Sequence, residues 1–245
     1  MEWEDAAIVL EVRPFGEADA VATVLTQTHG WHRGLARGGA SRSKAALWQP
    51  GNIVRARWVG RLAEQLGALS AELVHPAAAL AMEDPLALAM LRAVCAVAEG
   101  ALPERVAHER LFSSLLHLLA HLPEGAARLA DLIRWEAALL RDLGYGLDLS
   151  PPPGGGNAPL AFVSPRTGRA VTEADAGEWK PRLLRLPMFL LHDEAGVAAD
   201  WRDGLRLTGH FLARDAFGLR HQPLPAARLA LYDRVAAMAE TSLDA

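Results

Sequence analysis

The sequence predicts an α+β protein, a small barrel of five short strands followed by a helical half. Three observations carry this reading. Between residues 5 and 76, apolar and β-branched runs are broken by Gly and Pro at short intervals. From Glu83 onward, apolar residues recur at three-to-four spacing, the period of a helix with one buried face. Leucine and alanine dominate a chain that is 51% hydrophobic, 22% charged and only 6% aromatic, a globular and helix-rich composition.

The strands follow in order. Ala6 to Arg13 is apolar and is broken by Pro14 and Gly16. Val21 to Leu25 ends at His29-Gly30, and Trp31 to Arg37 ends at Gly38-Gly39. Asn52 to Val59 starts after Pro50-Gly51, and Leu66 to Val74 is stopped by Pro76. Five such segments in about 75 residues fit a small closed barrel. A five-stranded OB-fold is the leading arrangement, while composition alone leaves an SH3-like barrel open.

In the second half, Asp84-Pro85 is an N-cap and first-turn signal, with Leu86, Met90, Val94 and Val97 as the apolar face. Pro103-Glu104 reads as the start of a second helix, with Val106, Leu111, Leu115 and Leu118 inward. Pro123-Glu124 starts a third, striped by Leu129, Leu132, Leu139 and Leu143 and closed by Gly144. Residues 150–159, rich in Pro and Gly, read as a surface loop or linker. A short hairpin, Leu160 to Val163 and Arg169 to Val171, is expected next. Helices from Asp200 to Phe217 and from Pro225 to Ala239 complete the chain. The expected division is a barrel domain over 1–80 and a helical domain over 81–245, with a loop and hairpin insertion at about 150–175.

Several function classes find no support. No run of 18 uncharged apolar residues offers a membrane span, and the acidic start, Met1-Glu2-Trp3-Glu4-Asp5, is unlike a signal peptide. Gly38-Gly39 lacks the spacing and the Lys-Ser/Thr of a phosphate loop, and no Gly-x-Ser-x-Gly elbow occurs. The lone Cys95 lies in a helical apolar setting and reads as a core residue. His117 and His121 have the spacing of a two-histidine metal site, but no acidic residue lies between them, which favours a structural pair. No catalytic constellation emerges. An enzyme with a dispersed active site stays open without positive support, since catalytic groups need not be close in sequence, and the leading reading is a non-enzyme that needs no cofactor.

Charge is informative because it is uneven. The net charge is −4, yet residues 20–63 contain no Asp or Glu and hold Arg33, Arg37, Arg42, Lys44, Arg55, Arg57 and Arg61. A basic block on an acidic chain is either an ordinary solvated face or a surface for a polyanion. Strand alternation gives it a direction. Val54, Ala56 and Trp58 share one face of their strand, and Arg55, Arg57 and Arg61 share the other. Arg33 and Arg37 share a face of the preceding strand, and Arg42 and Lys44 lie in the loop between the two. Trp31 and Trp48 can be stacking platforms beside such a groove or core tryptophans.

The ordered motifs carry a resemblance. Ile8-Val9-Leu10, Arg13, Gly16-Glu17-Ala18-Asp19, Val24-Leu25-Thr26, His29-Gly30, Ala36-Arg37-Gly38-Gly39 and Leu47, Gln49-Pro50-Gly51 resemble the N-terminal domain of the RecO family of DNA repair proteins. Leu143-Gly144-Tyr145-Gly146-Leu147-Asp148-Leu149, Val163 to Val171 and Leu183 to Leu190 resemble its C-terminal part, so the likeness spans nearly the whole chain.

The resemblance implies an N-terminal OB-fold, an all-helical second domain and a cytoplasmic, nucleoid-associated recombination mediator of the RecF pathway. Its implied partners are single- and double-stranded DNA, RecR, the acidic C-terminal tail of single-stranded-DNA-binding protein and, indirectly, RecA. The implied activity is annealing of complementary strands and RecA loading. An alternative is another OB-fold nucleic-acid binder concerned with RNA or translation. One departure stands out. Many members carry four cysteines as a zinc module after the Gly-Tyr-Gly segment, and this chain has Ser150-Pro151-Pro152-Pro153 there and a single cysteine in all. A thiolate site is impossible, so a degenerate, cysteine-free module without zinc is expected. For the partner tail, Arg134 and Arg141, seven apart on a predicted helix beside Leu132, Leu139 and Leu140, form the expected guanidinium-rimmed apolar site; the alternative is that both arginines pair with Asp131 or Asp142 on a solvated surface.

Overall fold

The computed structural model describes residues 1–62, 65–151 and 158–241. Two compact units divide the chain, Met1–Ala126 and Ala127–Ala245. The first therefore holds three helices besides the strands, whereas the expected boundary near residue 80 follows the change from strand to helix.

The barrel strands are β1 (Glu2–Phe15), β2 (Asp19–Thr26), β3 (Gly30–Ala36), β4 (Ile53–Val59) and β5 (Gly67–His75). They close in the order β1-β2-β3-β5-β4, with β3 parallel to β5 and the other pairs antiparallel. This is the OB arrangement, which settles the choice that composition left open. One long strand makes closure possible. The first half of β1 pairs with β4, from Glu2↔Val59 to Ile8↔Ile53, and its second half pairs with β2. A bulge between Val9 and Glu11 supplies the bend.

The barrel interior contains Val9, Val24, Trp48, Val54, Trp58 and Leu69, among others. Trp58 is fully buried and sets the packing around it. A Cβ added at Gly67 would lie 2.3 Å from its ring, and one at Gly60 2.4 Å. Those two positions are glycine because the indole occupies the space a side chain would need. The Trp58 indole N–H donates to the Arg33 carbonyl at 3.2 Å, so the buried donor is satisfied.

After β5 come α1 (Ala77–Ala81), α2 (Pro85–Ala101) and α3 (Glu109–Ala120). Asp84 caps α2 by accepting from the Leu86 N–H at 2.8 Å. Gly51 (φ +93°) lets α2 seat on the barrel, since a Cβ there would meet Leu91 at 2.5 Å. The second predicted helix begins later than expected. Residues 103–108 are not helical, because Glu104 bridges to Trp31 and the Arg105 N–H donates to the Trp31 carbonyl at 2.9 Å. Val106, expected inward, is exposed, while Leu111, Leu115 and Leu118 are buried.

The second unit contains α4 (Leu129–Asp142), which follows a 3-10 segment, Leu122–Arg128, broken at Gly125. Gly144 ends α4 with φ +89° in a Schellman arrangement. Its N–H donates to Arg141 and that of Tyr145 to Leu140, at 3.0 and 2.8 Å. The expected hairpin forms as β6 (Leu160–Val163) and β7 (Ala170–Thr172), and an unexpected third strand, β8 (Leu184–Arg185), makes a sheet of order β7-β6-β8. Most of the Pro/Gly linker, residues 152–157, lies outside the described residues. Helix α5 (Glu173–Ala176), α6 (Ala198–Phe211) with its π-helical continuation Leu212–Phe217, and α7 (Ala226–Thr241) complete the unit. At its centre Arg228 and Glu136, both buried, form a two-bond ion pair. The guanidinium also donates to the Leu205 carbonyl at 2.8 Å, and the Thr208 hydroxyl donates to Glu136.

Candidate nucleic-acid interface

The alternation in β4 places the basic residues. Val54, Ala56 and Trp58 are buried, and Arg55 and Arg57 are exposed. In β3, Arg33 is exposed, Leu35 is half-buried and Arg37, just past the strand, is exposed on the same side. The parallel pairing of β3 with β5 then brings Arg37 toward Arg57. A groove of about 240 Å³ runs between them, lined by Leu35, Arg37, Lys44, Arg57, Val59 and Ser70, among others.

Local bonds shape its rim. Gly38 (φ +67°) turns the chain, and Asp19 accepts its N–H at 2.7 Å. The Lys44 ammonium donates to the Arg37 carbonyl at 3.0 Å, which folds the loop back against the strand. Arg37, Arg42 and Lys44 have no carboxylate partner among the described residues.

Other predicted cations are paired, by residues that reading along the chain missed. Arg57 pairs with Glu2 at 2.6 Å and Arg55 with Glu4 at 3.9 Å, because β1 lies antiparallel to β4. Arg33 pairs with Glu104 at 2.7 Å. These pairs are exposed, where an ion pair contributes at most about 1 kcal/mol, so a phosphate can replace the carboxylate. Arg61 is exposed beyond the end of β4. The signal for Glu2 and Glu4 was present in the alternation of Glu2, Trp3 and Glu4, but only strand register shows which cations they face.

The two tryptophans are buried. Trp48 is 3% exposed, within the barrel core, and Trp31 is 6% exposed, with the Arg33 guanidinium 5.0 Å from its ring centre. Trp3 was missed. It is half-buried, stacks on His29 at 4.8 Å and meets His32 edge-on at 5.1 Å. Nearby, burial alone would raise the Asp5 carboxyl. Hydrogen bonds from the Thr28 N–H and hydroxyl, from His29 and from the Ala6 N–H outweigh it and lower the pKa. Burial lowers the His32 imidazole and outweighs backbone hydrogen bonding at Gly30 and His29, with the charge of Arg105 acting in the direction of burial.

In the second unit the predicted tail-binding residues do not converge. Leu132, Leu139 and Leu140 are fully buried in the core. Arg134 is committed within its own unit. It donates to the carbonyls of Phe189, His192 and Glu194 at 3.0, 3.3 and 2.6 Å and pairs with Asp131. Arg141 is exposed beside Asp142. His117 and His121 pack ring to ring at 4.2 Å, and Nδ1 of His121 is 2.8 Å from the His117 carbonyl, so that nitrogen is already engaged.

The fold and groove define an OB-fold protein with a cationic groove on the barrel and a helical second part. Two family models match it along its length, Recombination protein O N terminal over residues 1–77 and Recombination protein O C terminal over 82–222. The chain is 62% identical over 242 residues to the DNA repair protein RecO of Acidiphilium cryptum, covering 96% of both chains. It is 58% identical over 246 residues to that of Granulibacter bethesdensis, covering 98% of both. With that of Gluconacetobacter diazotrophicus identity is 59% over 245 residues, or 97% of this chain and 96% of the relative. The chain belongs to the RecO family, which places it in DNA repair and recombination. No described helix is long and apolar enough to cross a membrane.

Proposed function

We propose that the chain is a recombination mediator that binds single- and double-stranded DNA through the groove between β3, β4 and β5 and anneals complementary strands. Acting with RecR on strands coated by single-stranded-DNA-binding protein, it promotes RecA loading. The supporting observation is the convergence of Arg37, Lys44 and Arg57 over a floor that includes Leu35 and Val59. Cations on an apolar floor suit a phosphate backbone with its bases turned inward. Arg42 and Arg61 extend the field for strand capture. Membership of the RecO family supports the partners, and family resemblance supports a non-enzymatic, cytoplasmic role. The acidic tail of single-stranded-DNA-binding protein is assigned to the helical half, where Arg141 beside the exposed Tyr145 is more available than Arg134.

The test is salt-dependent binding. The double substitution Arg37→Ala, Arg57→Ala is expected to weaken binding to all sequences alike and to flatten the log–log salt slope by roughly one to two. Unchanged affinity and slope in the folded variant would remove the groove from the interface. For the partners, an annealing assay on protein-coated complementary strands, with and without this chain and RecR, is expected to show acceleration only when the chain is present.

A further inference from the structure

A second concavity lies at the other end of β3. Trp31, His32 and Arg33 form one wall, and Glu104 and Arg105 another, with Val21 and Leu66 adjoining, around about 390 Å³. That is within the usual range for a small-molecule site. Three features mark it as built. The Trp31 indole nitrogen is hidden from solvent and has no hydrogen-bond partner among the described residues, on a side chain only 6% exposed. Buried polar atoms without partners are uncommon in folded proteins. Two guanidiniums flank the cavity, and one carboxylate holds both, Glu104 at 2.7 Å from Arg33 and 3.5 Å from Arg105. The backbone that carries them is held under strain. Arg105 has φ +61°, and Gly30 admits Val106 so closely that a Cβ would fall 2.2 Å from its carbonyl oxygen.

An aromatic wall and a pair of arginines are the complement of a nucleotide, a flat heteroaromatic base joined to a phosphate. We propose that this cavity receives one unstacked nucleobase of a single strand, with the adjoining phosphate held by Arg33 and Arg105, and that Glu104 is the carboxylate this phosphate displaces. The assignment rests on the DNA-binding reading above. Arg33 and Arg37 lie on one side of β3 about 13 Å apart, so one strand can lie in the groove and place a base here. A duplex presents no free base, which makes the site selective for single strands.

The experiment compares an oligo-dT single strand, the same backbone with abasic sites, and a duplex, each titrated into the full chain. Wild type is expected to prefer the intact strand over the abasic one by about tenfold, the scale of one well-placed base. Glu104→Gln is expected to tighten single-strand binding several-fold by removing the competing anion. Arg105→Gly relieves the positive φ, so it is expected to leave the fold at least as stable while weakening single-strand binding and shrinking the base preference. A base preference undiminished in folded Arg105→Gly, or weaker binding by a folded Glu104→Gln, would overturn the assignment and leave the groove reading intact. Equal affinity for intact and abasic strands would overturn it together with the inward-turned bases of the groove. Failure of wild type to bind any of the three DNAs would overturn both.

Discussion

Trp58 shows how one side chain dictates its neighbours. Its ring fills the barrel so completely that Gly60 and Gly67 each stand where a methyl group would collide with it. Gly67→Ala is therefore expected to destabilise the protein by about 1–3 kcal/mol, the usual cost of overpacking a tight core. Chemical denaturation of the variant checks this, and a cost near zero would mean that the ring can shift. The glycine at 67 is plain in the sequence, but its reason is not, since the indole it accommodates belongs to another strand. The same holds for Glu2 and Arg57, 55 residues apart and joined only by strand register. Reading charge along the chain located the cations and could not see which of them the barrel would pair.

At the scale of elements, the Glu136–Arg228 pair ties α4 to α7, with Thr208 of α6 as third member. Arg228→Ala leaves a buried carboxylate without its partner and is expected to cost about 3–5 kcal/mol in urea denaturation. Replacing both residues, as Glu136→Leu with Arg228→Met, is expected to recover most of that loss. If the double variant is as unstable as the single one, the pair does more than neutralise itself. Elements whose signals are local were legible in advance. Apolar and β-branched runs broken by Gly and Pro marked all five barrel strands, and Asp84-Pro85 marked the start of α2. What was missed depends on partners distant in sequence. Pro103-Glu104 has the form of a helix start, yet those residues lie along β3 because Gly30 leaves room for Val106. Strand β8 is two residues long, too short to carry a period of its own. Arg134 lies on a helix that its spacing predicts, but the carbonyls of residues 189–194 that claim its guanidinium come from a segment that helical spacing does not locate.

For the molecule as a whole, the buried His32 makes one contribution to the acid response whose sign is fixed by its surroundings. Burial first, then the charges of Arg105 and His29, lower the pKa of His32. The unfolded chain takes up this proton near pH 6.5 while the folded chain resists it, so this contribution is complete above about pH 6.5 and declines as pH falls below it. Asp5 has a lowered pKa through its hydrogen bonds, and its contribution is lost only as pH falls through the carboxylate range. Melting temperature is expected to drop between pH 7 and 5.5, and to drop less in His32→Gln. An identical pH profile in the variant would assign the effect to other histidines.

The carboxylates of Glu2, Glu4 and Glu104 act as tethered counterions. Free ions dilute away when DNA displaces them, but a tethered carboxylate stays within reach of its arginine. It can return whenever the phosphate lets go. On the DNA-binding reading, such a surface favours exchange over tight retention, since each paired cation already has a resting partner. A strand held this way can be released one contact at a time, which suits a protein whose task is to hand the strand on.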